Sequence, residues 1–203
     1  GALNSAKKED IILVVSRFSP SKQLENVIEI SAILANKPGI SKLRTILVGN
    51  IAQEDKDYLE NLKKMVEEKS LQDRVDFEVG VSFDRMLELM KRAKIYLHPL
   101  PEEPFGISIV EAMSAGLIPV VPDIGGFTEV VPEKYQFGNN ENAAEIIQKV
   151  LLALSNSSSF DSNRNKVDDF LEKQMQISKA ASRFTIKEYK AKLRQVIESE
   201  IPS

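Results

Sequence analysis

Short apolar runs rich in β-branched residues alternate along this chain with longer stretches whose apolar residues recur every three or four positions. The runs fall at 11–16 (IILVVS), 45–48, 75–79, 95–98 and 118–121, with a shorter one at 135–137. Between them the spacing predicts helices at about 21–36, 53–70 and 83–93, one after Pro104 that ends at Gly116, a short turn-helix at 125–131, and an amphipathic helix at 141–154. Strands that are apolar without alternation are buried on both faces, which is the signature of a parallel sheet covered by helices. The fold class is therefore α/β, a doubly wound parallel sheet, and ligands of such sheets bind at the carboxyl ends of the strands.

Beyond 154 the pattern changes. Residues 155–165 (SNSSSFDSNRN) read as a polar linker, and 166–203 as closing helices with an apolar stripe through Phe170, Met175, Phe184, Tyr189, Leu193 and Val196. That stripe needs cover, either from the sheet or from a further domain. Residues 1–10 are polar and read as a linker segment, which leaves 11–154 as the ligand-binding domain.

Composition narrows the chemistry. A net charge of −3 gives no footing for nucleic acid. With no cysteine, thiolate metal sites and disulfides have no residues to build them, and a single histidine disfavours a His-based metal site or a nucleophile–His pair. No apolar run approaches the ~20 residues of a membrane span, so a cytoplasmic chain, cut from something longer, is expected.

The strand ends carry the candidate chemistry. After the first run, Arg17 and Lys22 stand five residues apart across a turn and can neutralise a diphosphate, one as a planar fork and one as a point charge. The same two cations also suit an ordinary loop surface. Ser19 or Ser21 can cap the helix that follows. Gly49, Gly80 and Val81 each follow a strand and can shape a nucleobase slot, while Gly125 and Gly126 form a tight, anion-friendly turn after the fifth strand. Asp55-Lys-Asp57 is better explained as first-turn acids than as a metal motif. His98 reads as a structural residue.

The stretch Glu103-Pro-Phe-Gly-Ile-Ser-Ile-Val-Glu111, running on to Ala115-Gly116, is the most specific feature. Eight helical positions correspond to about 12 Å, too far for two carboxylates to share one bond and suited to holding the two ends of one long ligand. The backbone amides of Phe105, Gly106 and Ile107 would open the helix, where phosphate or sugar oxygens bind well. Glu111, flanked by Ile107, Val110 and Met113 or Ser114, is expected to be partly buried and to need hydroxyl partners. A nucleotide-sugar has that shape.

Taken in order, Ser16-Arg17 to Lys22, Val48-Gly49, Phe77 to Gly80, Glu103-Pro-Phe-Gly to Glu111, and Gly125-Gly126 to Glu129-Val130 resemble the donor-binding, C-terminal half of a retaining family 4 (group 1) glycosyltransferase of the GT-B fold. The stretch from Leu97 to Glu111 also resembles the lipid-linked oligosaccharide mannosyltransferases. The resemblance implies that Arg17 and Lys22 clamp the diphosphate leaving group, that Glu111 holds the ribose, and that Glu103 lies near the donor sugar. It implies a GDP-, UDP- or ADP-sugar donor, no obligatory metal, a glycan or lipid-linked acceptor, and peripheral membrane association through an N-terminal acceptor domain absent from this chain. Glu103 as a nucleophile, or attack on the face from which the leaving group departs, both stay open. Ser16 departs from the glycine usual in the family. A non-catalytic nucleotide-sugar-binding module is the competing reading, and a sugar-nucleotide epimerase fits the Glu103-Pro-Phe-Gly pattern less well.

Overall fold

A computed structural model describes residues 8–100 and 107–156. Six strands form one parallel sheet: β1 (Glu9–Val15), β2 (Arg44–Gly49), β3 (Val75–Val79), β4 (Ala93–Leu97), β5 (Ile118–Pro122) and β6 (Gln136–Phe137), in the order β3-β2-β1-β4-β5-β6. The helices are α1 (Glu25–Ala35), α2 (Lys56–Glu68), α3 (Phe83–Arg92), α4 (Ile107–Ser114) and α5 (Asn140–Asn156). The expected doubly wound α/β fold is what forms. The linker at 155–165 and the helices at 166–203 lie outside the described residues, apart from the end of α5.

The central strands explain the unbroken apolar runs. Ile11, Ile12, Leu13 and Val14 are all buried, because β1 is sandwiched between two strands and two helical layers. Right-handed crossovers place helices on opposite faces according to the direction in which the chain steps along the sheet. α1 packs against α2 and α5 on one face, and this rule sets α3 and α4 on the other. Strand order reverses between β1 and β4, so the crevice of this sheet opens above their carboxyl ends.

The start of α1 departs from what the periodicity predicts. The helix expected from residue 21 is broken into a 3-10 turn, Pro20–Lys22, and α1 from Glu25, because Gln23 adopts a left-handed conformation (φ 48°, ψ 45°) between them. Neither Ser19 nor Ser21 caps α1; their hydroxyls sit 3.2 Å from each other. Leu24 occupies the cap position, and its amide donates instead to the Tyr58 hydroxyl at 2.9 Å.

At the other end of the sheet, Gly116 closes α4 as expected. Its φ of 77° lets its amide reach Met113 O and the Leu117 amide reach Ala112 O, both at 3.0 Å, which satisfies the last carbonyls. Lys8 caps the same edge from outside. Its ammonium donates to the carbonyls of Met90 (3.3 Å), Ala93 (2.8 Å) and Ala115 (3.3 Å), where α3 and α4 end. No described helix is long and apolar enough to cross a membrane.

Candidate functional site

The β1–α1 loop is built by an extension of the sheet. Beyond the end of β1, the Ser16 amide donates to Val48 O and the Phe18 amide to Asn50 O, each at 2.9 Å, and Phe18 bridges to Ile51. Gly49 makes this possible, since a Cβ there would lie 1.7 Å from the Ser16 carbonyl oxygen. Phe18 is fully buried, its ring tilted against Phe77 at 6.1 Å between centroids. With one neighbour fixed in the core, Arg17 is left exposed at the carboxyl edge, and Lys22 is half-buried in the turn that follows.

The β3–α3 turn is braced by charge. Arg85 forks onto Glu78 with Nε at 2.9 Å and Nη2 at 2.6 Å, and Ser82 caps α3 by accepting from the Arg85 amide at 3.2 Å. The guanidinium holds the Glu78 carboxyl below the ordinary carboxylate range, by hydrogen bond first and then by charge. Inside this frame Gly80 takes φ 65° with open space around it, and Val81 is half-buried beside it. Phe83, 75% exposed, begins α3 at the same edge.

The β5 loop is held by its own residues. Thr128 Oγ1 donates to Gly125 O at 2.8 Å, and Gln136 Nε2 donates to the carbonyls of Thr128 (3.0 Å) and Val131 (2.7 Å). Gly125 has φ 128°, so the Gly125-Gly126 pair turns the chain where a side chain at the first position would be strained. Phe127 is buried and meets the buried His98 ring edge-on at 5.3 Å, so the single histidine packs into the core side of this loop.

Glu111 corrects an expectation. It is exposed, not partly buried. α4 turns Ile109, Ala112 and Met113 into the core, each at most 1% exposed, and at about 100° per residue this stripe leaves Glu111 and Ser114 on the wet side. Four residues from the start of α4, Glu111 stands about 6 Å along its axis. The first turn of α4 is tied to β4 by the Tyr96 hydroxyl, 2.8 Å from Ser108 Oγ. Glu103, Phe105 and Gly106 lie outside the described residues, and of Ile107 only its place at the start of α4 is described. Asp55 and Asp57 open α2 as first-turn acids.

Arg17, Lys22, Gly80, Val81, Gly125 and Gly126 thus follow the carboxyl ends of strands and Gly49 closes one, all on one edge of the sheet. Sequence reasoning missed Tyr58 and Tyr96. Both fall on apolar stripes and read as packing, and only the tertiary structure supplies partners for their hydroxyls.

A family model described as "Glycosyl transferases group 1" matches residues 1–184. A "GDP-Man:Man(3)GlcNAc(2)-PP-Dol alpha-1,2-mannosyltransferase" of Dictyostelium discoideum is 31% identical over 156 residues, covering 71% of this chain and 30% of that protein. A "GDP-mannose:cellobiosyl-diphosphopolyprenol alpha-mannosyltransferase" of Xanthomonas campestris is 34% identical over 160 residues, covering 75% and 40%. Among solved structures, Anabaena HepE in complex with UDP superposes with a TM-score of 0.72 at 23% identity, covering 95% of this chain and 49% of that one. The catalytic domain of the Helicobacter pylori cholesterol-alpha-glucosyltransferase gives 0.64 at 18%, covering 86% and 99%. The chain spans less than half the length of both curated relatives. With the family model matched over most of its length, on the parallel sheet these structures share, the chain belongs to the group 1 glycosyl transferases.

Proposed function

We propose that this chain is the donor-binding half of a retaining glycosyltransferase that moves a hexosyl group from a nucleotide-sugar to a glycan or lipid-linked acceptor. The observation that carries the reading is the gathering of two cations and three glycine turns at the carboxyl edge of the sheet, beside the β1/β4 switch point. Arg17 and Lys22 neutralise the departing diphosphate, which lowers the barrier by meeting charge where it develops. The exposed Glu111 accepts from ribose hydroxyls, and Glu103 stands at the sugar end. The Gly80–Val81 turn receives the base, and the Gly125-Gly126 turn offers amides to donor oxygens.

The curated relatives whose names specify GDP-mannose and diphosphate-linked lipid acceptors favour a GDP-linked hexose among the GDP-, UDP- and ADP-sugars. Such an acceptor implies peripheral association with a membrane. The acceptor is chosen by an N-terminal domain, so this chain alone binds donor without transferring sugar.

Calorimetric titration of the folded chain with GDP, UDP and ADP tests the reading. At least one should bind, and Lys22→Ala and Glu111→Ala should each weaken it by about 1–3 kcal/mol, the scale of a lost charge-assisted hydrogen bond. Absence of binding by all three at millimolar concentration would refute it. A non-catalytic nucleotide-sugar-binding module would also bind, and is told apart by a full-length protein that binds donor but transfers no hexose.

A further inference from the structure

We propose that Tyr58 is a positioning residue for Lys22, acting from α2 through the turn that separates Lys22 from α1. The proposal rests on the reading of Lys22 as a ligand of the donor diphosphate.

The turn is anchored at its start and at its end. At its start, Phe18 is buried and bridged to Ile51. Within it, the Lys22 amide donates to Ser19 O at 2.9 Å and the Gln23 amide to Pro20 O at 3.2 Å, which sets the 3-10 geometry. These short bonds do not fix the direction in which the turn leaves. That direction depends on Gln23, which holds φ 48° without being a glycine and therefore sits in a conformation that L side chains disfavour.

Something outside the turn has to compensate for that conformation. Leu24, the next residue, is 1% exposed, and its amide needs an acceptor at the start of α1, where the helix offers none. The Tyr58 hydroxyl accepts from it at 2.9 Å and donates its own proton to Glu25 Oε2 at 2.8 Å. The phenol is 8% exposed and rooted in the first turns of α2, so its position is set by packing and not by the loop. One hydroxyl thus fixes consecutive residues immediately after the strained position, two residues beyond Lys22. Without it, the buried Leu24 amide is left unpaired beside the strained Gln23, whose remaining backbone bonds are to Pro20 O and from the Asn26 amide, and the turn relaxes with Lys22 on it.

The test uses Tyr58→Phe, which keeps the ring and removes only the hydroxyl. Titration with GDP, UDP and ADP should show Tyr58→Phe binding the nucleotide the wild-type chain takes about tenfold more weakly, the factor for one hydrogen bond's worth of positioning. In a Lys22→Ala background the same substitution should change affinity by less than about twofold, because the residue it positions is gone. Gln23→Gly, which makes the left-handed conformation intrinsic to the turn, should restore most of the affinity lost in Tyr58→Phe. Glu25→Ala, which frees the phenol at an exposed site, should give a smaller loss in the same direction, and it serves if Tyr58→Phe does not fold. A Tyr58→Phe chain that melts at a lower temperature yet binds as tightly as wild type, or equal losses with and without Lys22, would overturn the proposal while leaving the donor site intact. A wild-type chain that binds none of GDP, UDP and ADP would overturn the donor site and this proposal together.

Discussion

The α-carbon of Gly49 faces the carbonyl of Ser16 so closely that an added Cβ would stand 1.7 Å from its oxygen. The obstacle is backbone and cannot rotate aside. Gly49→Ala therefore forces the 16–18 segment away from β2, breaking the amide bonds from Ser16 to Val48 O and from Phe18 to Asn50 O. We expect destabilisation of about 2–3 kcal/mol, the upper part of the range for overpacking, measured by urea denaturation. Nucleotide affinity should fall with it, because Arg17 lies between those two bonds. An alanine variant as stable as wild type would show that the loop is not built this way.

α2 ends as α4 does, with one difference. Ser70 occupies the left-handed position (φ 55°) that Gly116 occupies in α4, and its amide and that of Leu71 close the same pattern onto Glu67 O and Val66 O. Serine bears the steric cost of that conformation, so Ser70→Gly should stabilise the chain by about 0.5–1 kcal/mol. The site lies far from the proposed donor loops, so nucleotide affinity should not move. A lower urea midpoint for the glycine variant would contradict this.

Burial lowers the pKa of the Lys8 ammonium to about 8 from an ordinary 10.5. Between those values the unfolded chain binds a proton that the folded chain has lost, so the contribution of Lys8 makes stability rise with pH across that window. Below pH 8 the cost of burying the charge is present in full. The difference in stability between wild type and Lys8→Met, followed from pH 7 to 10, should therefore shift toward wild type as pH rises above 8. A flat difference would show that the amine titrates normally.

Acid should act on the other charged line of the fold. Glu78, Arg85, Glu88, Arg92 and Glu9 form a continuous chain of ion pairs, from the end of β3 along α3 to the start of β1. Hydrogen bonds from the two arginines, ahead of charge, hold all three carboxyls below their ordinary range. Depressed carboxyls stabilise the fold above the unfolded pKa, and that stabilisation is lost as pH falls through the lower folded values. Arg85→Met should therefore lower stability by a constant amount above about pH 6 and by progressively less as pH falls, moving the acid-unfolding midpoint to higher pH. High salt should shrink the difference in part, since the pairs are only partly buried.

Much of this architecture was legible in the chain because burial on both faces leaves an unmistakable mark. A run such as Ile11-Ile-Leu-Val14 has no polar position for solvent, and alternation with helical spacing then leaves a covered parallel sheet as the remaining arrangement. The glycine at 116 ended α4 where a helix needs a left-handed residue. Gln23 and Ser70 hold the same conformation with side chains that do not advertise it, so the break before α1 was invisible. Glu111 went wrong for a related reason. Apolar neighbours in sequence suggested burial, but which side of α4 meets the sheet is fixed by Ile109, Ala112 and Met113 together.

By itself the sequence determined the strands, their parallel order as a class, the edge proposed for the ligand, and the family, because periodicity and motif spacing are local properties of the chain. Tertiary structure alone decided how those motifs are held. The approach of Gly49 to Ser16, the reach of Tyr58 to Leu24 and the grip of Lys8 on two helix ends join residues distant in the chain. Such contacts depend on distances set by packing, and packing leaves no spacing in the sequence from which to read them.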